Sequence, residues 1–464
     1  MCEEKTKSNW DELVYEKKSV YAEADADTLG KIYDYAKGYM TFLDRAKTER
    51  EAVDEAVKMA EAAGYTPYRF GEKLEAGACR YYNNRGKNFF LIRKGTRPIA
   101  EDGVRILAAH IDSPRLDLKQ VPLYEDSNMA FLKTHYYGGI RKYQWTAIPL
   151  ALHGVVVRKD GTSVNIVIGE KEEDPVFYVN DLLPHLAQEQ SSKPLGSAIP
   201  GEKLNLLVGG LPCEDKDVSE RIKMNVLKYL FDNYGITEMD LQSAEISAVP
   251  AFRARNIGFD GALIGAYGHD DRVCAYPALT ATMEASDEHT VITILADKEE
   301  VGSDGNTGMQ CILLKDIIEM LASADGVCGA QVRANSLCLS ADVNAAFDPN
   351  FAEVYEKRNA AILSCGTVMS KYTGARGKSS TNDASAEFVA LVRRMFEENG
   401  VAWQSAELGK IDVGGGGTVA KFISQLNIDT VDIGVPVISM HAPYEVVSKA
   451  DLYATYLAFC AFCK

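Results

Sequence analysis

The sequence predicts an α/β protein: one domain of alternating strands and helices, interrupted by a β-rich insertion. Three observations carry this. From about residue 252 onward, strand-like runs ("VITILAD", "SLCLSAD", "TVDIGVPVISMH") alternate with helical stretches such as "AEFVALVRRMFEENG". That alternation implies a mostly parallel sheet covered by helices. From about 119 to 251 the texture changes to β-rich runs, "IPLALHGVVVRK" and "SVNIVIGE", separated by polar turns. The chain has 464 residues, 46% hydrophobic and 25% charged, which is ordinary globular composition and long enough for two or three domains.

In chain order, residues 10–63 read as helical. Apolar residues recur there at three- and four-residue spacing, after an acidic start and before a glycine stop. Short strand-like runs follow, "KNFFLIRKG" and "VRILAAH". The insertion closes on an amphipathic helix near "ERIKMNVLKYLFDNYG". The boundaries this gives are 1–118 and 252–464 for the interrupted domain and 119–251 for the insertion. There is no internal repeat and no low-complexity tract.

The net charge of -16 argues against nucleic acid or an anionic membrane as a general partner. The start, "MCEEKTKSNWDELVYEKK", lacks the apolar core of a signal peptide. No apolar run reaches the ~18 residues a membrane span needs. The ten cysteines are scattered, several in apolar surroundings (Cys274, Cys311, Cys338), which reads as reduced thiols in a cytoplasmic protein. Cys460 and Cys463 have CxxC spacing but no companion pair, and read as helix-packed thiols.

Apolar runs end repeatedly in metal-type ligands. "VRILAAHID" ends in His110 and Asp112, "VITILADKEE" in Glu299 and Glu300, "SLCLSADVN" in Asp342, and "VDIGVPVISMH" in His441. A fifth segment, "AYGHDDRVCAYPAL", puts Asp270 and Asp271 before a helix. Singly, each has a plainer reading: a hydrogen-bonded core histidine, a turn aspartate, a helix cap. Jointly, at the carboxyl ends of strands where open α/β sheets build their sites, they predict a metal site.

The donor set is too oxygen-rich for a structural zinc knot and too nitrogen-rich for calcium. It suits two zinc-like ions sharing a carboxylate, with cobalt or manganese also acceptable. His110, Asp270 and Glu300 are expected to hold one ion, and Asp270, Asp342 and His441 the other. Asp112, two residues from His110 on an extended chain, is expected to accept the second imidazole N–H. Neighbouring residues on an extended segment face opposite ways. Glu300 can therefore ligate while Glu299 faces the reactive water as general base.

These residues resemble the aspartyl aminopeptidase family of dizinc aminopeptidases, which includes vacuolar aminopeptidase I. The resemblance runs from "AAHIDSPRLDLK" through "YYGGI", "GHDDRVCAYPAL", "DKEEVGSDG" and "SADVNAAFDPN" to "VPVISMHAPYEV". It implies a three-layer α/β/α catalytic domain interrupted by a dimerisation domain, and dodecamers built from dimers. It implies His110, Asp270, Glu300, Asp342 and His441 as zinc ligands, Asp270 bridging, and Glu299 as base. His185 in "LLPHLA" matches a histidine that reaches a neighbouring subunit's active site. Lys371 in "SKYTG" resembles a basic residue that meets an acidic substrate side chain. The glycines of "VGGGGT" could lie close to a bound peptide or form an ordinary loop.

The chain departs from eukaryotic members after "YYGGI", where it reads "RKYQWTAIPLAL", and after Asp342, where "VNAAFDPN" lacks their additional histidine. The first-residue preference is thus open between acidic and neutral side chains. The expectation is a cytoplasmic dizinc aminopeptidase acting on peptides by a metal-bound hydroxide. Two rivals remain at this stage. One is a bimetal carboxypeptidase or deacylase, with Arg376 and Lys378 of "TGARGKSS" binding a carboxylate. The other is a self-assembling scaffold with a structural metal site.

Overall fold

The computed structural model describes residues 13–464; the first residues of the predicted N-terminal helix, 10–12, and most of the N-terminal stretch lie outside it. The helical region divides into Val20–Glu23, Ala26–Arg45 and Glu49–Ala62. The last of these begins at a capping box. Thr48 Oγ1 accepts from Glu51 N–H, and the Glu51 carboxylate accepts from Thr48 N–H at 3.0 Å. Such a cap contributes ~1 kcal/mol.

Three sheets follow. The largest has nine strands, in the order Thr66–Pro67, Cys79–Asn84, Asn88–Arg93, Val291–Ala296, Arg105–His110, Leu337–Ala341, Asp429–Gly434, Thr367–Ser370, Trp403–Ser405. The four central strands, from Val291–Ala296 to Asp429–Gly434, pair in parallel. Asn88–Arg93 and Thr367–Ser370 flank them antiparallel. A seven-stranded antiparallel sheet is built wholly from residues 115–250. Its first strand, Arg115–Asp126, begins before residue 119. A five-stranded sheet gathers Arg255–Ile257, Leu263–Ala266, Glu445–Ser448, Pro436–Ile438 and Asn344–Ala345.

Side chains alternate along the central strands, and alternate residues join different cores. Leu107, Ala109, Val291 and Leu295 pack with the N-terminal helices, the helix His269–Met283 and the C-terminal helix Lys449–Cys463. Ile106, Ala108, Ile292 and Ile294 pack with helices Leu313–Ala324 and Gly329–Ala334. A third core, around Trp145, Leu150, Val156 and Leu206, belongs to the seven-stranded sheet.

One expected strand is two. "TVDIGVPVISMH" reads as a single run, but Asp429–Gly434 lies in the nine-stranded sheet and Pro436–Ile438 in the five-stranded one. The break has a local cause. Pro436 cannot donate to a ladder, and Gly434 packs so tightly that a Cβ there would fall 1.6 Å from Asp342 O. His441 therefore reaches the site from a loop after the second piece, not from the end of a strand in the large sheet.

Among the described residues, no helix is long and apolar enough to cross a membrane. The described cysteines are all free thiols, Cys460 and Cys463 included.

Candidate active site

The parallel strands deliver their ends to one place. His110 closes its strand, Asp342 follows Leu337–Ala341 directly, and Glu299 and Glu300 occupy a 3-10 turn, Glu299–Val301, just past Val291–Ala296. Asp270 lies at the start of helix His269–Met283 in non-helical backbone, and the Asp270–Asp271 peptide is cis.

Five of the sequence-predicted ligands converge. His110 Nε2 lies 3.0 Å from Asp270 Oδ1 and 3.8 Å from Asp342 Oδ1. His441 Nε2 lies 3.2 Å from Asp270 Oδ2 and 3.5 Å from Glu300 Oε1. The donors form two triads sharing Asp270: His110, Asp270 and Asp342, and Asp270, Glu300 and His441, with the atoms of each within 4.8 Å of one another. The partition differs from the sequence expectation, which put Glu300 with His110 and Asp342 with His441. The strands that lead to Asp342 and to Glu300 both adjoin that of His110; Asp342 follows its strand directly, whereas Glu300 lies past the strand end in the 3-10 turn, 3.5 Å from His441 Nε2.

The cluster suits divalent cations. Asp270 Oδ1 and Glu300 Oε1 are buried with no hydrogen-bond donor. The approach of His110 Nε2 to Asp270 Oδ1 is close but is not aligned as a hydrogen bond. Buried acceptors without donors are costly unless a cation meets them.

The imidazoles are oriented from behind. His110 Nδ1 lies 3.0 Å from the Asp112 carbonyl and 3.3 Å from Asp112 Oδ1. His441 Nδ1 lies 3.1 Å from the Gly139 carbonyl. With each Nδ1–H donating there, both Nε2 atoms face the cluster, where loss of the Nε2 proton would offer a lone pair to a metal. The Asp112 carboxylate also accepts the backbone N–H of Glu299 at 3.0 Å and of Glu300 at 3.2 Å, and the Tyr137 hydroxyl at 2.7 Å.

Glu445 is a site residue that the sequence reading missed. It is buried, and its two oxygens accept from His441 N–H at 2.7 Å and Asp270 N–H at 3.1 Å. His441 has φ +66, a left-handed conformation that costs a non-glycine residue about 1 kcal/mol or more and that Glu445 helps hold. The available signal was an acid four residues after His441, in "HAPYE".

Electrostatics follow from burial and these contacts. Burial pushes the Glu299 carboxyl up to about 7; the Asp112 and Asp270 charges add to the rise, and His110 opposes it. Asp270 is held well below the usual range, against its burial, by His110 and His441. Burial opposes charge on His441, but Asp270 and Glu300 bring it up to about 10. Burial raises Glu445 to about 8, and Asp270 adds to the shift.

A cavity of about 360 Å³ opens beside the cluster, lined also by Gly415, Gly416, Gly417 and Thr418 of the glycine run. The other predicted residues lie apart. Lys371 is exposed and donates to Asp383 at 2.8 Å. His185 is exposed in a short 3-10 turn, Pro184–Leu186. Arg376 and Lys378 line a separate, smaller pocket with Lys410 and Glu407.

Imidazoles and carboxylates gathered at the strand ends of an α/β sheet, beside an open cavity, are the working parts of a metal-dependent hydrolase. The family described as "Aminopeptidase I zinc metalloprotease (M18)" matches residues 42–463, and the chain belongs to it: it is a metal-dependent aminopeptidase. The Clostridium acetobutylicum protein named "Probable M18 family aminopeptidase 1" is 47% identical over 460 residues, covering 97% of this chain and 99% of its own. The crystal structure of an M18 aminopeptidase from Thermotoga maritima superposes with a TM-score of 0.93 at 44% identity, covering 97% of this chain and all of the other. A Saccharomyces cerevisiae structure described as a dodecamer shares the fold at 22% identity and a TM-score of 0.75, covering 92% and 96%. Of the three readings that the sequence left open, family membership selects the aminopeptidase.

Proposed function

We propose that this chain is a dizinc aminopeptidase in which Asp270 bridges two ions, His110 and Asp342 complete one site, and Glu300 and His441 complete the other. The observation that carries this is the pair of triads sharing one carboxylate. Cobalt or manganese would suit the same donors. When bound, the ions would polarise the scissile carbonyl and acidify the attacking water.

Glu299 is the general base. It lies beside the cluster, 3.9 Å from His110 Nε2, yet belongs to neither triad. Its carboxyl, at about 7 without metal, would be lowered by nearby cations. It then takes the water's proton and returns it to the leaving amine. Asp112 fixes both the His110 ring and the backbone that carries Glu299 and Glu300.

We further propose that residues 1–118 and 252–464 form a three-layer catalytic domain and that 119–251 form a dimerisation domain. The two helix-covered cores on alternate strand residues support the layers. Exposed Leu211, Tyr229 and Phe231 support the dimer. The full assembly is a dodecamer, by analogy with the yeast structure, and His185 acts in a neighbouring subunit's site. Lys371 borders the substrate cleft through its neighbour Ser370, which lines it. Its salt bridge to Asp383 must open before it can meet an acidic substrate. The location is cytoplasmic, the substrates peptides.

The test is an assay of metal-stripped protein reloaded with zinc, cobalt or manganese on N-terminally free and acetylated dipeptides. Metal-restored release of the first residue from free peptides alone is expected. Equal cleavage of acetylated peptides would overturn the reading.

A further inference from the structure

A further positioning element, resting on the aminopeptidase reading, comes from the insertion. Strand Met129–Tyr137 pairs antiparallel with Arg115–Asp126, and its last residue stands opposite Arg115. Residues opposite each other in such a pair meet side chain to side chain. The Arg115 guanidinium accordingly lies over the Tyr137 ring, 4.0 Å from its centroid. Arg115 is itself buried and held from two sides. Its Nη1 lies 3.0 Å from Glu49 Oε2, at the start of helix Glu49–Ala62, and its Nε donates to Asp117 Oδ1 at 2.8 Å. Asp117 in turn accepts from the Ser247 hydroxyl at 2.6 Å. The ring is thus clamped where the insertion meets the catalytic part, with its hydroxyl on Asp112.

Asp112 is 0% exposed, so protein donors must hold its carboxylate. Oδ1 accepts Glu299 N–H at 3.0 Å and faces His110 Nδ1 at 3.3 Å; Oδ2 accepts Glu300 N–H at 3.2 Å and the Tyr137 hydroxyl at 2.7 Å. The Tyr137 contact is the shortest of these and the one that comes from the insertion. We propose that Tyr137 is a positioning residue: its hydroxyl fixes the plane of the Asp112 carboxylate, so that each oxygen keeps one turn amide and Glu299 stays aimed at the reacting water. A hydrogen bond to a charged acceptor is strong enough to set such an orientation. Without it the carboxylate can turn toward His110, and the amides of Glu299 and Glu300 lose their shared anchor. Tyr137 does not line the substrate cavity, so its effect falls on the reaction step and not on peptide binding.

The test is steady-state kinetics of the zinc-saturated enzyme on free dipeptides. Tyr137→Phe removes the donor and keeps the stacked ring. Its kcat is expected to fall about tenfold, with KM changed by less than about twofold. In an Asp112→Asn background the same substitution should change kcat by less than about twofold, because the carboxylate it aligns is gone. An equal loss in both backgrounds would overturn the proposal, as would a rise in KM at constant kcat or an unchanged kcat in folded Tyr137→Phe. Arg115→Lys keeps the hydroxyl but loosens its ring, and serves if Tyr137→Phe does not fold. There kcat should fall severalfold, and an unchanged kcat would overturn the role of Tyr137. A wild type that cleaves no free dipeptide would overturn the aminopeptidase reading itself and this inference with it.

Discussion

The backbone N–H of Glu299 donates to Asp112 Oδ1 at 3.0 Å, tying the proposed base to the residue that orients a proposed ligand. The same carboxylate takes Glu300 N–H and stands 3.3 Å from His110 Nδ1. One buried side chain therefore aligns a strand end and a turn that are far apart in sequence.

Replacing Asp112 should loosen the metal before it unfolds the chain. Asp112→Asn keeps the shape but loses one acceptor oxygen for the two turn amides. Zinc affinity is expected to drop ~10–100-fold. Competition against a chromophoric chelator measures this directly, and an unchanged affinity would refute the orienting role.

Glu299→Gln separates the base from the ligands. The variant should retain its metal and its fold while kcat falls ~10²–10⁴-fold. Loss of metal instead would make Glu299 a ligand and redraw the division of labour within the EE pair.

Metal loading should release protons. Without metal, burial opposes charge on both imidazoles, but the neighbouring carboxylates overcome it, raising His110 and bringing His441 up to about 10, which favours protonated rings. A ligating imidazole must be neutral. Calorimetry of zinc binding near pH 7, in buffers of different ionisation enthalpy, should therefore show about two or more protons released per chain. Affinity should rise with pH. Proton uptake on binding would contradict the arrangement.

A second pH effect lies away from the site. Asp451 accepts the N–H groups of Ser364 and Gly366, each at 2.7 Å, and burial raises its carboxyl from 3.8 to about 8. Between those values the folded chain holds a proton that the unfolded chain gives up. Its contribution to stability is thus complete below about pH 4 and is lost as pH rises through about 8. The stability difference between wild type and Asp451→Asn in metal-free protein should shrink with rising pH, by up to about 1.4 kcal/mol per unit. Urea unfolding from pH 5 to 8 reads it out, and a difference independent of pH would sink it.

The proposed dimer surface is testable by mass. Tyr229 and Phe231 sit on an exposed helix and are 44% and 58% exposed. Charged replacements there are expected to shift sedimentation toward the monomer while leaving the metal content intact. An unchanged mass would remove this helix from the interface.

Much of the site was legible because its chemistry sits at strand ends, where apolar runs stop and ligand-type residues begin. His110, Glu300 and Asp342 stand out for that reason. Their partition between two triads was not legible, because periodicity reveals strands but not where a residue beyond a strand end is carried by the turn that follows. The strands before Asp342 and Glu300 both neighbour that of His110, and the 3-10 turn at Glu299–Val301 is what brings Glu300 to His441. The break at Val435 was hidden because "VDIGVPVISMH" is continuously apolar, and only the close approach of Gly434 to Asp342 shows why the run changes sheets. Glu445 escaped notice for a simpler reason. A single acid in a loop or strand carries no pattern, and its importance lies in what it faces.

The Gly139 carbonyl, 3.1 Å from His441 Nδ1, comes from the segment assigned to the insertion. A Cβ on Gly139 would stand 3.2 Å from that ring nitrogen, and one on Gly138 would stand 3.1 Å from Glu300 Oε2. Chimeras that exchange the insertion between relatives, cut at 118 and 251, would thus transplant part of the catalytic centre along with the assembly surface. Any change of turnover in such hybrids reports on both at once, and only grafts that retain 137–140 of the recipient can tell quaternary structure from chemistry.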